Sequence, residues 1–220
     1  MTTYADLQSR IADELGARSD LTSEIQLAIQ TAIAKWERER FYFNEVRTAN
    51  AFSTVKGQEF YGSSDYAPLG TLAHIDKLSV LIAGNRFALS PRTTQYLEDL
   101  SLNPAVQGQP MDYAYYALQL RLYPIPDAAY PINILGTTRL AALVNAGDSN
   151  AWSIDAEALI RAEAKMDLYE NVLQTPELAD RMRLLIHGDP SKPGHRGYLY
   201  ALKAETARRG ASGKVRPTYF

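Results

Sequence analysis

There is no cysteine anywhere in the 220 residues. That absence removes disulfides, thiolate nucleophiles and cysteine-ligated zinc together. Histidine is nearly as scarce. His74, His187 and His195 are the three present, and none is spaced from another as in a His-Glu-x-x-His helix motif. Surface or hydrogen-bonded roles are the default for all three, so no metal and no cofactor is expected. No Asn-x-Ser/Thr sequon occurs either, and both absences fit synthesis in a reducing cytoplasm. No run approaches the roughly 18 apolar residues of a membrane span. The opening Met1-Thr2-Thr3-Tyr4-Ala5-Asp6 lacks the basic start and apolar stretch of a signal peptide. The chain therefore reads as soluble, with no membrane partner. An excess of one charge is missing too. Lys and Arg number 23 against 25 Asp and Glu, a net charge of -2, so the whole molecule is not a generic binder of polyanions.

What is present is an ordinary globular balance, 46% hydrophobic and 22% charged. A chain of this size buries roughly 70% of its unfolded surface and needs no staple. Its pattern runs helices, strands, helices. Tyr4, Leu7, Ile11 and Leu15 recur at helical spacing over 3–15, with Thr3 and Asp6 placed to cap and Gly16 to stop. Asp20 or Thr22 is expected to cap a second helix, reaching about Arg40, with Ile25, Ala28, Ile29, Ala32, Ile33 and Trp36 on its apolar face.

From Phe41 to Leu143 the helical period fades. Strands are expected at 46–55, 58–61, 74–82, 86–89, 111–117, 120–123 and 132–140. Gly84-Asn85 suits a hairpin turn. Ser90-Pro91 suits the start of a short helix to Leu100. Tyr123-Pro124-Ile125-Pro126-Asp127 must be a turn or an edge, because prolines remove ladder donors.

Helical spacing returns near 153. Ser153 is expected to cap a helix carrying Leu159, Ala162, Met166, Tyr169 and Leu173. Thr175-Pro176-Glu177 starts another, with Leu178, Met182 and Leu185 on one face. A loop at 188–197 precedes a last helix, Tyr198 to Arg209, which stops at Gly210. The expected class is α+β. A helical bundle forms from the N-terminal helices (1–42) and the C-terminal helices (150–210). An antiparallel β-rich domain (43–145) is inserted between them, and residues 211–220 form an extended C-terminal arm.

Few motifs carry chemistry. Gly188-Asp189-Pro190-Ser191-Lys192-Pro193-Gly194 has no Gly-Lys-Ser/Thr closure and places prolines where a phosphate would need N–H donors. No Gly-x-Gly-x-x-Gly or Gly-x-Ser-x-Gly occurs. Asp155 and Glu157 fall in a first helical turn, where the macrodipole accounts for them. Tyr113, Ala114, Tyr115 and Tyr116 could stack on a base or a sugar, but core and edge packing is the commoner use of such a strand. Trp36 and Trp152 read as structural. The least ordinary feature is the C-terminus. Arg208, Arg209, Lys214 and Arg216 cluster without nearby acids and lead to Tyr219-Phe220. A solvated tail or an arm docked on a partner both fit.

Several stretches are distinctive when taken together: Tyr4-Ala5-Asp6-Leu7 with Ile11-Ala12-Asp13-Glu14-Leu15, and Asp20-Leu21-Thr22 leading to Ala34-Lys35-Trp36-Glu37-Arg38-Glu39-Arg40-Phe41-Tyr42-Phe43-Asn44-Glu45. Pro110-Met111-Asp112-Tyr113-Ala114-Tyr115-Tyr116 and Leu120-Arg121-Leu122-Tyr123-Pro124-Ile125-Pro126-Asp127 follow. Asn150-Ala151-Trp152 then precedes Ala156-Glu157-Ala158-Leu159-Ile160-Arg161, and Gly213 to Phe220 closes the chain. In their order and spacing these stretches resemble the head-to-tail adaptor (connector) proteins of tailed bacteriophages, particularly of the short-tailed type. The loop 188–197 departs from the family's tighter connection.

The resemblance implies a structural virion protein rather than an enzyme, made in the host bacterial cytoplasm and placed at the head–tail junction. Its partners would be the portal protein, neighbouring adaptor subunits in a ring (typically a dodecamer), and tail nozzle or fibre proteins. DNA would pass through the channel without sequence-specific binding. Arg208, Arg209, Lys214, Val215, Arg216, Tyr219 and Phe220 would dock on the portal. The alternative is a nucleic-acid-binding module using the basic-aromatic C-terminus, which predicts strongly salt-dependent DNA affinity. A carbohydrate-binding tail component built on the β segment is a third reading, and it predicts aromatics exposed together in a groove.

Overall fold

The computed structural model describes residues 2–101, 106–192 and 194–210. Along the chain lie α1 (Tyr4–Glu14), α2 (Thr22–Trp36), β1 (Glu45–Ser53), β2 (Phe60–Tyr61), β3 (Leu72–Ile82), β4 (Asn85–Ala88), β5 (Ser90–Pro91) and α3 (Thr94–Leu100). They continue with β6 (Gln107–Gly108), β7 (Asp112–Tyr116), β8 (Gln119–Tyr123), β9 (Ile125–Pro126), β10 (Pro131–Thr138), α4 (Ala151–Ile154), α5 (Glu157–Asp167), α6 (Pro176–His187) and α7 (Tyr198–Gly210). The chain divides into two compact units. One combines the described residues up to Asn44 with those from Leu140 onward, and the other is Glu45–Arg139. The class is α+β: helices from both ends of the chain make one unit, and an antiparallel-rich β segment makes the other.

In the helical unit, α1 forms as its sequence predicts. Thr3 N–H donates to Asp6 Oδ2 at 2.9 Å and Asp6 N–H to Thr3 Oγ1 at 3.2 Å, a reciprocal cap. Leu7 and Ile11 are fully buried. The cap expected for α2 is absent. Asp20 is held by a two-pronged contact from Arg18 at 2.8 and 2.7 Å, and Thr22 Oγ1 donates to the Ser19 carbonyl. A single 3-10 turn, Ser19–Leu21, leads into α2 instead. The helix also ends at Trp36, short of Arg40. The cause is Asn44, whose Oδ1 accepts from Phe41 N–H at 2.9 Å while its Nδ2 donates to the Glu39 carbonyl at 2.8 Å. This side chain folds the backbone out of the helix and drives Phe41 into the core.

The cap expected at Ser153 belongs to Asn150. Its Oδ1 accepts from Trp152 N–H at 2.8 Å, and Ser153 Oγ accepts from Asn150 N–H at 3.2 Å. Trp152 thus lies inside the short helix α4, not ahead of a cap, and α5 begins only at Glu157. The Trp152 ring stands edge-on to Phe41 and Phe43, with centroids 5.7 and 5.0 Å away. A wide π turn, Leu168–Val172, follows α5 and buries Leu168. α6 starts at Pro176 as its signal predicts. Its buried stripe, however, is Ala179, Met182 and Ile186, while Leu178 and Leu185 stay 40% and 39% exposed. Helices approach most closely where side chains are smallest, so Ala179 rather than Leu178 faces the bundle.

One buried charge joins the two ends of the chain. Glu163 on α5 is 5% exposed. Its carboxylate accepts from Trp36 Nε1 at 3.1 Å and pairs with Lys35 Nζ, both on α2.

The β unit packs two sheets over one core. The first has strand order β1-β10-β3-β4, all antiparallel. The second has order β2-β8-β7-β5, with β5 parallel to β7. Leu78, Val80, Ile132 and Ile134 of the first meet Tyr61, Tyr113, Leu120 and Leu122 of the second. Gly136 sits at a bulge in β10, where an added Cβ would lie 2.2 Å from the His74 carbonyl oxygen. A side chain there would force the strands apart.

Three local expectations change in this unit. Ser90-Pro91 is a strand, not a helix start. Ser90 N–H and Arg92 N–H donate to the Met111 and Tyr113 carbonyls at 2.8 Å each, and Pro91, between them, has no N–H to lose. The helix begins at Thr94, capped by Thr93. The β3–β4 turn is Ala83-Gly84, both at positive φ, with Asn85 already paired to Ile82. The strand expected at 58–61 is only Phe60–Tyr61. Around the proline pair, Ile125–Pro126 forms a two-residue parallel pairing with Gln107–Gly108.

Trp36→Ala should lower unfolding stability by about 3–5 kcal/mol, the usual cost of deleting a buried tryptophan. Trp36→Phe keeps most of the packing but leaves Glu163 with one donor fewer, and should cost about 1–3 kcal/mol. Denaturant titration measures both. A wild-type midpoint for Trp36→Ala would mean that the α2–α5 contact is not structural.

Candidate docking interface

The candidate docking residues cluster at the C-terminal end, where α7 supplies the described part of the geometry. A closed loop leads into it. Asp189 N–H donates to the His195 carbonyl at 3.1 Å, and Gly188 pairs with Arg196. Gly197 packs so tightly that a Cβ would lie 2.2 Å from the Ile186 carbonyl oxygen. The Asp189 carboxylate accepts from Ser191 Oγ and N–H, at 2.6 and 2.9 Å. These hydrogen bonds, with Lys192 nearby, hold its carboxyl below its ordinary value. His187 and His195 flank this loop, and the His187 ring lies 6.3 Å from Trp36.

No residue of α7 is fully buried, but Tyr198, Leu199 and Leu202 rest on the bundle core. Polar contacts fix its far half to the turn after α2. Thr206 Oγ1 accepts from Tyr42 N–H at 3.0 Å, and Lys203 Nζ pairs with Glu39 at 2.9 Å. Tyr42 Oη donates to Asp155 at 2.9 Å. The Arg209 guanidinium lies 3.8 Å from the centre of the Tyr42 ring, a cation–π contact.

Here the expectation about the arginines is corrected. Arg208 and Arg209 do not stand without acids. Glu205, one turn back on α7, pairs with both, accepting from Arg209 Nε at 2.7 Å. Three- and four-residue spacings meet on one helix face. Both guanidinium side chains nevertheless stay largely exposed, at 78% and 57%. Lys214, Val215, Arg216, Tyr219 and Phe220 lie outside the described residues.

The other singled-out residues serve packing. Tyr113 is buried in the β core, and Tyr115 Oη donates to the Leu69 carbonyl at 2.5 Å. Only Tyr116 is displayed, at 70% exposure. Glu157 does more than stabilise a helix start: it accepts from Arg10 at 2.6 Å and Arg161 at 3.1 Å, tying α1 to α5. Among the described residues, no group of three His, Asp or Glu side chains is placed to hold a metal ion, and no helix is long and apolar enough to cross a membrane.

These features amount to two cored units and a helix that ends in two exposed arginines. Residues 2–183 match the SU10 adaptor protein family, and the chain belongs to that family of phage head–tail adaptors. The match runs through both units and ends within α6, so the loop at 188–197 and α7 lie beyond it. A comparison with curated proteins finds no match.

The Glu205 carboxyl is held below its ordinary value, first by the hydrogen bond from Arg209. A lowered folded-state value means that the contact's contribution is complete above the ordinary glutamate range and is lost as pH falls through the lowered value. Amide-exchange protection across 198–210 should therefore drop on acidification. Glu205→Gln should remove that acid-dependent step while leaving the melting temperature of the whole protein unchanged. An identical pH profile in the variant would show that Glu205 does not hold α7.

Proposed function

We propose that this chain is a head-to-tail adaptor subunit. Copies of it form a ring, of dodecameric type, beneath the portal of the DNA-filled head, and the ring carries the tail machinery on its other side. DNA passes through without sequence-specific recognition. The observation that carries this reading is the family match through both units. Contacts between neighbours in such a ring are heterologous and close by rotation. Isolated subunits are monomeric in this scheme, and the portal templates the ring. The protein's place is then the virion.

Residues 208–220 form the portal-docking arm in this proposal. α7 supports it by supplying a fixed base whose last residues, Arg208 and Arg209, reach solvent. Gly210 and Gly213 let the chain leave the helix direction, and Pro217 favours extended backbone before it. Ordering such an arm costs about 1–2 kcal/mol per residue. Exposed ion pairs contribute only about 0–1 kcal/mol each, and Arg208 and Arg209 already share Glu205. Tyr219 and Phe220, entering apolar pockets, are therefore the dominant anchors, with Lys214, Val215 and Arg216 as secondary contacts. The partial neutralisation of Arg208 and Arg209 also weakens the nucleic-acid reading.

Truncation after Ala211 and the double variant Tyr219→Ala, Phe220→Ala should both melt as wild type. Each should bind portal rings at least about thirtyfold more weakly, the effect of losing one aromatic hot spot. A pull-down on purified portal measures it. Undiminished binding by both variants would leave the terminal residues a solvated extension.

A further inference from the structure

The outward face of the β1-β10-β3-β4 sheet carries a feature that neither the core nor the C-terminal contacts use. Strand pairing sets Arg47, Leu135 and Lys77 in one cross-strand row, and Asn133, Ser79 and Ala88 in the next. Arg86 follows, opposite Leu81. β1 is irregular between Thr48 and Phe52, where Asn50 adopts φ 51. Asn133 pins the irregularity: its Oδ1 accepts from Asn50 N–H at 2.9 Å, and its Nδ2 lies 3.5 Å from Ser79 Oγ. A bulge bends its strand away from regular pairing. It leaves an open groove of about 290 Å³, lined by Ala49, Ser79, Asn133 and Leu135 and edged by Arg47, Lys77 and Arg86.

The charges around this groove are one-sided. Arg47, Lys77 and Arg86 are exposed, and none has an ion pair among the described residues. Glu45 and Asp76, the nearest carboxylates along the strands, each have a partner in the fold. Leu135, between Arg47 and Lys77, is 41% exposed. Like charges facing one another across a sheet are unfavourable unless something neutralises them. An aliphatic floor inside a cationic rim is matched by a ligand with the complementary arrangement.

We propose that this face docks an extended, acidic and aliphatic segment of a partner protein. Its carboxylates meet Arg47, Lys77 and Arg86, and an aliphatic side chain covers Leu135. Charge complementarity selects the acidic partner. The floor selects a peptide over nucleic acid, because single-stranded binding sites pair cations with aromatic stacking surfaces and this groove is lined by no aromatic residue. The assignment is independent of the ring and of the portal arm.

The test uses the full chain at about 0.15 M salt, where long-range charge effects are screened beyond about 8 Å. The probes are a decapeptide alternating Glu and Val, polyglutamate of the same length, the decapeptide with Lys for Glu, and a DNA oligonucleotide. The Glu-Val peptide should bind best and shift the amide resonances of Ser79, Asn133 and Leu135. The double variant Arg47→Glu, Lys77→Glu should weaken it by at least about tenfold with no change in melting temperature. Leu135→Ser, which keeps every charge, should erase the preference over polyglutamate. Equal binding of polyglutamate or DNA, or no binding of the Glu-Val peptide, overturns the proposal. A change of oligomeric state in the double variant, with no peptide bound by wild type, assigns the face to a second copy and overturns it as well.

Discussion

Glu163 projects from α5 with its carboxylate out of water, and the two groups that satisfy it come from α2, at sequence separations of 128 and 127. A buried carboxylate without partners is costly, so the helical unit forms well only when these two helices meet in register. Trp36 extends the same junction to α6 through the His187 ring, and Lys35 lies over the Trp36 ring at 5.1 Å. Apolar contact is non-directional and by itself fixes the register of two helices only loosely. The polar clamp removes that freedom, because a shift of one turn would strand the charge.

The β unit carries the mirror-image device, a buried cation. Arg121 on β8 is 5% exposed and donates to Glu59 at 2.6 Å and Glu98 at 2.7 Å, with its guanidinium 5.2 Å from the centre of the Phe60 ring. Glu98 lies on α3, so one guanidinium ties that helix to the sheet. The planar fork of arginine suits it to two carboxylates from different directions. Each unit thus sets its internal register with a charge inside it.

The sequence was most readable where the signal is local. The reciprocal Thr3–Asp6 cap and the Leu7–Ile11 spacing lie within α1 itself, and α1 forms as they predict. Ser90-Pro91 carries an equally clear helix-start signal, but its pairing partners Asp112 and Tyr113 lie on β7, about twenty residues away, and they decide the outcome. The same holds for Leu178, whose exposure is set by how closely α6 can approach α5 and not by spacing within α6. Ser153 was expected to cap, but it is the third residue of a box whose cap is Asn150, so the helix starts three residues earlier than its apolar spacing suggested. The pairing of Arg208 and Arg209 with Glu205 was legible as an i, i+3 and i, i+4 pattern; counting only the basic residues passed over it. Arg47, Lys77 and Arg86 sit on three different strands, so nothing in the linear order announces that they surround one groove.

The helical unit is assembled from both ends of the chain, and this has a consequence during synthesis. α1 and α2 leave the ribosome first, yet the helix that packs most against α2 is α5, and His187 at the end of α6 is what lies beside Trp36. Between Trp36 and the end of α6 lies the whole β unit, which has its own core and can close while the bundle waits. At translation rates of about 5–20 residues per second, roughly 150 residues of delay leave the apolar stripe of α2 without this cover for about 8–30 seconds. A nascent chain of this design spends that interval as a finished β unit tethered to an open helical hairpin, the stage at which a host chaperone would have something to hold.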